Sequence, residues 1–178
     1  MKRVFTVLAL LIVVLLAGAG WYVYSKQPSR QGQVELHNLQ GSVTVRYDER
    51  GVPHIRAENE TDLYRALGYV HAQDRLFQME AMRRLARGEL AEVLGPKLLD
   101  TDKLFRSLRI RERAASYVAS LDKQSPAWKG LQAYLDGINQ YQDTHAAPIE
   151  FDVLGIPKRP FTAEDSISVA GYMAYSFA

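Results

Sequence analysis

The 178-residue chain is long enough for one domain with a real core, and 47% of it is apolar. It contains no cysteine, which excludes a disulfide framework, a thiolate metal site and a cysteine nucleophile. The formal charge of +2 belongs to the leader: residues 1–30 hold Lys2, Arg3, Lys26 and Arg30 and no acid, so beyond them twenty acidic residues outnumber eighteen basic ones and no nucleic-acid-binding face is implied.

Lys2 and Arg3 precede an uncharged apolar run from Val4 to Tyr24. Its 21 residues match the roughly 20 needed to cross a bilayer. Trp21, Tyr22 and Tyr24 close it, as amphipathic rings do at an interface. A cleavable signal peptide is the rival, with a small-x-small site at Ala17-Gly18-Ala19. Residues 1–24 are therefore a transmembrane anchor or a signal sequence. The run continues past the cleavage site, which favours an uncleaved anchor. Either option puts Gln27 onward outside the cytoplasm if the N-terminus stays inside. Residues 25–33 are polar and turn-rich and form a tether, and 34–178 form the domain.

Val34–Leu39 and Ser42–Asp48 are expected as strands around Gln40-Gly41, the second from its alternation of Val43, Val45 and Tyr47 with polar residues. Asp48 to Gly51 suits a type I turn, and Pro53–Ala57 returns as a third strand. Asn59 caps a long helix running to Arg87, which Gly88 ends. Leu63, Leu67, Val70, Phe77, Ala81 and Leu85 draw its apolar stripe. Asp74 falls on that stripe, so it either marks the stripe's edge or is a buried acid needing a partner from elsewhere. Glu80 can pair with Arg83 or Arg84, and the run Arg83, Arg84, Arg87 is expected to be a solvated face.

Glu89–Leu94 adds a turn or two of helix before Gly95-Pro96. Asp102 to about Leu121 is expected as one helix, inward at Leu104, Leu108, Ala115, Val118 and Leu121, with a basic outer face. Ser125-Pro126 starts a helix that reaches Thr144. Residues 146–161, with Pro148, Pro157 and Pro160, are expected as an ordered loop. Thr162 to Asp165 is a capping box, and the helix after it is expected to bury Ile167, Ala170, Met173, Ala174 and Phe177. The pattern meets no stop signal before Ala178, so the native polypeptide is expected to continue.

No residue pattern here supplies a nucleophile. There is no Gly-x-Ser-x-Gly elbow. Ser120-Leu121-Asp122-Lys123 matches Ser-x-x-Lys without its companion motifs. His37, His54, His71 and His145 are scattered, with no metal-ligand spacing, and read as ordinary polar or half-buried side chains. Taken alone, the chain is a helical, membrane-tethered module, and a non-catalytic binding domain is one reading of it.

The stretch Gly68-Tyr69-Val70-His71-Ala72-Gln73-Asp74-Arg75-Leu76-Phe77-Gln78-Met79-Glu80, followed by Arg83-Arg84 and Gly88-Glu89-Leu90-Ala91-Glu92-Val93-Leu94-Gly95, closely resembles the penicillin acylase family of N-terminal-nucleophile hydrolases. Gly51-Val52-Pro53-His54-Ile55, Leu154 to Pro160 and Gly171 to Phe177 extend the resemblance. It implies an α+β fold, mostly helical with N-terminal β-strands, forming part of an α/β/β/α sandwich. It implies a precursor cut into α and β subunits, with the nucleophile at the new N-terminus of β. This chain would then be most of an α subunit, with no catalytic residue and no metal ligand of its own. Any calcium of the complete enzyme would be held mainly by β. Implied partners are the β subunit, an N-acyl small molecule such as a β-lactam or an acyl-homoserine lactone, and the membrane. The implied location is the periplasmic side of the inner membrane, anchored or secreted. The resemblance also gives Met173 and Phe177 as residues facing the substrate's acyl group. Penicillin G-type enzymes have Arg where this chain has Ser176, which leaves room for a long aliphatic acyl chain.

Overall fold

The computed structural model describes residues 2–178. Helix α1 spans Lys2–Ser25. Strands β1 (Thr44–Tyr47) and β2 (Pro53–Arg56) pair antiparallel, with Val45 opposite Ile55. The turn between them forms as expected: Gly51 N–H donates to the Asp48 carbonyl, and the Asp48 side chain accepts from the N–H groups of Arg50 and Val52. Residues 34–39 form no strand. The backbone N–H groups of Gln40 and Gly41 instead donate to the buried carboxylate of Asp62 at 3.0 and 2.9 Å. Arg65 meets the Asn38 carbonyl at 2.8 Å, so this segment takes its hydrogen bonds from a helix rather than from a sheet.

Helix α2 (Glu60–Arg87) is the spine of the domain. Asn59 caps it, accepting from Asp62 N–H at 2.9 Å, and Gly88 ends it in the left-handed conformation at φ 65°. Helix α6 (Pro126–Thr144) crosses α2 in near-contact of the two backbones. A Cβ added to Gly68 would lie 1.9 Å from the Tyr134 carbonyl oxygen, and one on Gly137 1.9 Å from that of Arg65. The Gly68 of the recognisable stretch is thus a packing requirement. Tyr69, Ala72 and Leu76 of α2, with Leu135, Ile138 and Tyr141 of α6, form the centre of the core.

The buried face of α2 departs from the expected stripe. Val70 lies on it, but Leu67 is exposed, and Leu63, Phe77, Ala81 and Leu85 are only half-buried. Asp62, Arg65, Glu80, Arg83 and Arg84 are buried in their stead. Two causes combine. Arg75 has non-helical backbone angles (φ −139°, ψ 17°), which resets the phase of the second half. Glu80 also pairs with Arg83 and Arg84, and Asp62 with Arg65 and the backbone at residues 40 and 41, so most of these buried charges have partners, Arg83 Nε excepted.

Four short elements follow: α3 (Ala91–Leu94), a 3₁₀ turn over Pro96–Leu98, α4 (Leu99–Ser107) and α5 (Ile110–Ser120). The single helix expected from Asp102 to Leu121 is broken at Arg109, whose φ of 54° ends one helix and starts another. The break turns Phe105, Ile110 and Ala114 inward in place of Leu104, Leu108 and Ala115. The segment expected as a plain loop contains α7 (Ile149–Leu154), stopped by Gly155 at φ 64°. Helix α8 (Ala163–Ser176) starts with the expected capping box of Thr162 and Asp165.

Candidate functional site

The second half of α2 ends in arginines that were expected to face solvent. They are interior. Glu80 is fully buried and accepts from both Arg83 and Arg84, the latter at 2.7 Å. Arg87 bridges Glu89 at 3.0 Å and Asp165 at 2.8 Å. Arg159 reaches Glu89 at 3.2 Å and Glu80 at 3.5 Å, while Arg84 also meets Glu92 at 3.0 Å. With Arg111 of α5 3.8 Å from Glu89, five arginines thus face four carboxylates drawn from α2, the turn after it, α3 and α8. Arg83 stacks its guanidinium 4.0 Å over the Phe161 ring, next to its bond to the Pro160 carbonyl at 3.0 Å. Burial opposes the charge of Glu89, yet Arg87 and Arg159 outweigh it and hold its carboxyl below the usual range.

This cluster fixes the start of α8. Asp165 serves twice: it closes the capping box through Thr162 N–H at 3.0 Å and it receives Arg87. The pattern in the sequence revealed only the first role, since its partners lie 78 residues or more away. Farther along α8, Tyr172 and Tyr175 pack edge-on against Phe105, with ring centroids 5.4 and 5.9 Å apart. Gly171 brings the helix close to Ile110 of α5. Tyr175 is nevertheless 46% exposed, and residues 173–178 are exposed all round this last turn. Met173 is 48% and Phe177 84% exposed, so the burial expected for this face is corrected. Ala170, Ala174 and Ser176 are exposed as well, and the Ser176 hydroxyl donates to the Met173 carbonyl at 2.8 Å. Met173, Ser176 and Phe177 therefore share one accessible end of one helix, four residues from first to last.

Beside α8 a cleft of about 370 Å³ opens between α2 and α6. Met79, Met82, Ile138 and Val169 give it an apolar floor. At its rim, the His71 ring nitrogen Nδ1 lies 2.6 Å from the Tyr134 hydroxyl. Partial burial, with the Arg75 cation in support and Asp74 opposing, pushes the His71 pKa down. Sequence reading had treated His71 as an ordinary histidine, and no spacing linked it to Tyr134 on another helix.

The remaining candidates do not come together. Ser120 donates to the Tyr117 carbonyl, whereas Lys123 turns to the Val118 carbonyl and the Trp128 ring. His54 pairs only with Asp48 at the hairpin, at 3.3 Å. Asp74 does have a distant partner, Arg30, at 2.9 Å. Among the described residues, no three His, Asp or Glu side chains gather to hold a metal.

Residues 42–178 match the family described as penicillin amidase. The chain is 40% identical over 143 residues to penicillin acylase 2 proenzyme of Pseudomonas sp. (strain SE83), covering 80% of this chain and 18% of that protein. It is 35% identical over 179 residues to acyl-homoserine lactone acylase QuiP of Pseudomonas putida, covering 98% of this chain and 22% of that protein. The chain thus spans less than a quarter of the length of these curated relatives. Among solved structures it is similar to a thermostable penicillin G acylase from Alcaligenes faecalis, with a TM-score of 0.66, 33% identity, and 76% of this chain and 74% of that chain covered.

Proposed function

The chain belongs to the penicillin amidase family, and from that premise we propose that it is the α-subunit portion of an amidohydrolase that cleaves the carbon–nitrogen bond of N-acyl compounds. The fold proposed for the complete enzyme is the α/β/β/α sandwich, to which this chain contributes its hairpin and flanking helices. The nucleophile is assigned to a β subunit from the same precursor. Its hydroxyl would attack the amide carbonyl, and its own α-amino group, with a usual pKa near 8, would take the proton. The amine then leaves with that proton, and water hydrolyses the acyl-enzyme. Calcium, if the complete enzyme holds it, would take most of its ligands from outside this chain.

The role proposed for this chain is to wall the acyl pocket. The observation that supports it is that Met173 in the last turn of α8 and Phe177 at its C-cap present two large apolar side chains four positions apart, on a helix whose Tyr172 packs on Phe105. Large apolar side chains left in water on a rigid helix suit an acyl group. Ser176, short and neutral, leaves the end of that face without a cation. The relatives' printed names, penicillin acylase and acyl-homoserine lactone acylase, support two substrate classes of the same chemistry, an N-acyl amide. The proposed location is the periplasmic side of the inner membrane.

The test compares kcat/KM of the complete enzyme on phenylacetyl and decanoyl amides, with Phe177→Ala beside the wild type. Loss of a single methylene from an apolar pocket corresponds to about 10- to 200-fold, and Phe177→Ala removes a whole ring. The reading requires a loss of that order, unequal between the two acyl groups. An unchanged ratio and unchanged rates would remove Phe177 from the pocket.

A further inference from the structure

Among the described residues, the span Val4–Ser25 is long and apolar enough to cross a membrane, and none of its most apolar stretch is buried in the protein. At about 1.5 Å per residue its 22 residues reach about 33 Å, the thickness of a hydrocarbon core. The end of this helix does not hang free of the domain. The Tyr22 hydroxyl donates to Asp152 of α7 at 2.5 Å, and Lys26 pairs with the same carboxylate at 2.6 Å. A second fastening follows within eight residues of Tyr22. Arg30 pairs with Asp74 and lies 5.2 Å over the Tyr47 ring, while Gln73 donates to the Ser29 carbonyl at 2.6 Å. A segment fixed at both ends cannot act as a swinging tether.

Tyr22 lies in the last turn of the span, so whatever it touches sits at the bilayer surface. We infer that α7 is a membrane-docking surface, held against the outer lipid headgroups by the Tyr22–Asp152–Lys26 contact. Val153, the neighbour of Asp152, is 76% exposed and lies outside the hydrophobic core cluster. Trp21, also exposed, lies one residue before Tyr22 at the same depth. Lys26 brings a cation to the level of anionic headgroups. The partner is a lipid surface, and the consequence is a domain set at fixed height and tilt. The inference rests on the reading of residues 1–24 as a retained anchor.

The chain lacks cysteine, so Val153→Cys and, separately, Trp21→Cys each place a single thiol in it for an environment-sensitive fluorophore. The full protein is reconstituted into phosphatidylethanolamine/phosphatidylglycerol bilayers containing a lipid quencher near the headgroup. Quenching at position 153 comparable to that at position 21, lost in the Tyr22→Phe, Asp152→Ala double variant, is the expected result. Strong quenching at 21 with none at 153 overturns the docking and leaves the anchor intact. Quenching at 153 that survives the double variant also overturns it, because the clamp would then do nothing. Release of the protein by alkaline carbonate extraction removes the anchor, and the docking with it.

Discussion

Glu80 is the residue on which the interior of this domain turns. It is fully buried and answers two guanidinium groups that are themselves buried. A buried ion pair is a weak source of net stability, but breaking one leaves a charge with no water and no partner. Glu80→Ala is therefore expected to lower unfolding free energy by about 3–5 kcal/mol in urea titration. Glu80→Gln should recover part of this through its remaining hydrogen bonds. Asp62 is the second such residue. Burial opposes its charge, but Asn59, the Gln40 and Gly41 N–H groups and Arg65 together hold its pKa below the usual value of about 3.9. A depressed carboxyl contributes stability that is complete above its unfolded pKa and lost as pH falls through the folded one. Glu89 adds to the same trend from an unfolded value of about 4.3. The melting temperature should be flat near neutrality and fall below about pH 4, and Asp62→Asn should flatten that acid limb. A limb of the same slope in the variant would show that Asp62 does not carry it.

At the scale of elements, legibility followed locality. The caps at Asn59, Ser125 and Thr162 and the stop at Gly88 lie within a few residues of what they satisfy, and sequence reading placed all four. The hairpin turn at Asp48 was equally local. Faces were harder. The stripe on α2 was drawn from apolar spacing, which ignores that Glu80, Arg83 and Arg84 bury one another and that Arg75 breaks the phase. The left-handed Arg109 split one expected helix into two without a glycine to announce it. Residues 34–39 had strand composition but lost their ladder to Asp62 and Arg65, partners more than 20 residues away. The α2–α6 crossing was invisible for a different reason, since Gly68 and Gly137 signal a contact only once their helices are superposed. Gly68→Ala should force the two backbones apart and cost about 1–3 kcal/mol or more, read as a drop in melting temperature. The same change at Gly95, where no atom lies within 4 Å of an added Cβ, meets no such steric barrier, although its φ of 91° still disfavours a side chain.

At the scale of the whole molecule, the buried charge cluster fixes the start of α8 and the aromatic contacts to Phe105 hold its later turns, while the α2–α6 crossing forms the core beside it. The site residues Met173, Ser176 and Phe177 were named from family resemblance. Spacing alone put Met173 and Phe177 in the core, because an apolar face awaiting a partner and one already covered have the same periodicity. His54, Ser120 and Lys123 are each bonded to other groups, and the proposed function leaves the chemistry to a β subunit and gives this chain the wall of the pocket. The direct measurement is turnover of a chromogenic decanoyl amide by residues 1–178 alone, and by the same residues assembled with the β subunit. The account predicts no hydrolysis above the blank for the isolated chain and acyl release from the assembly. Turnover by the isolated chain would contradict it.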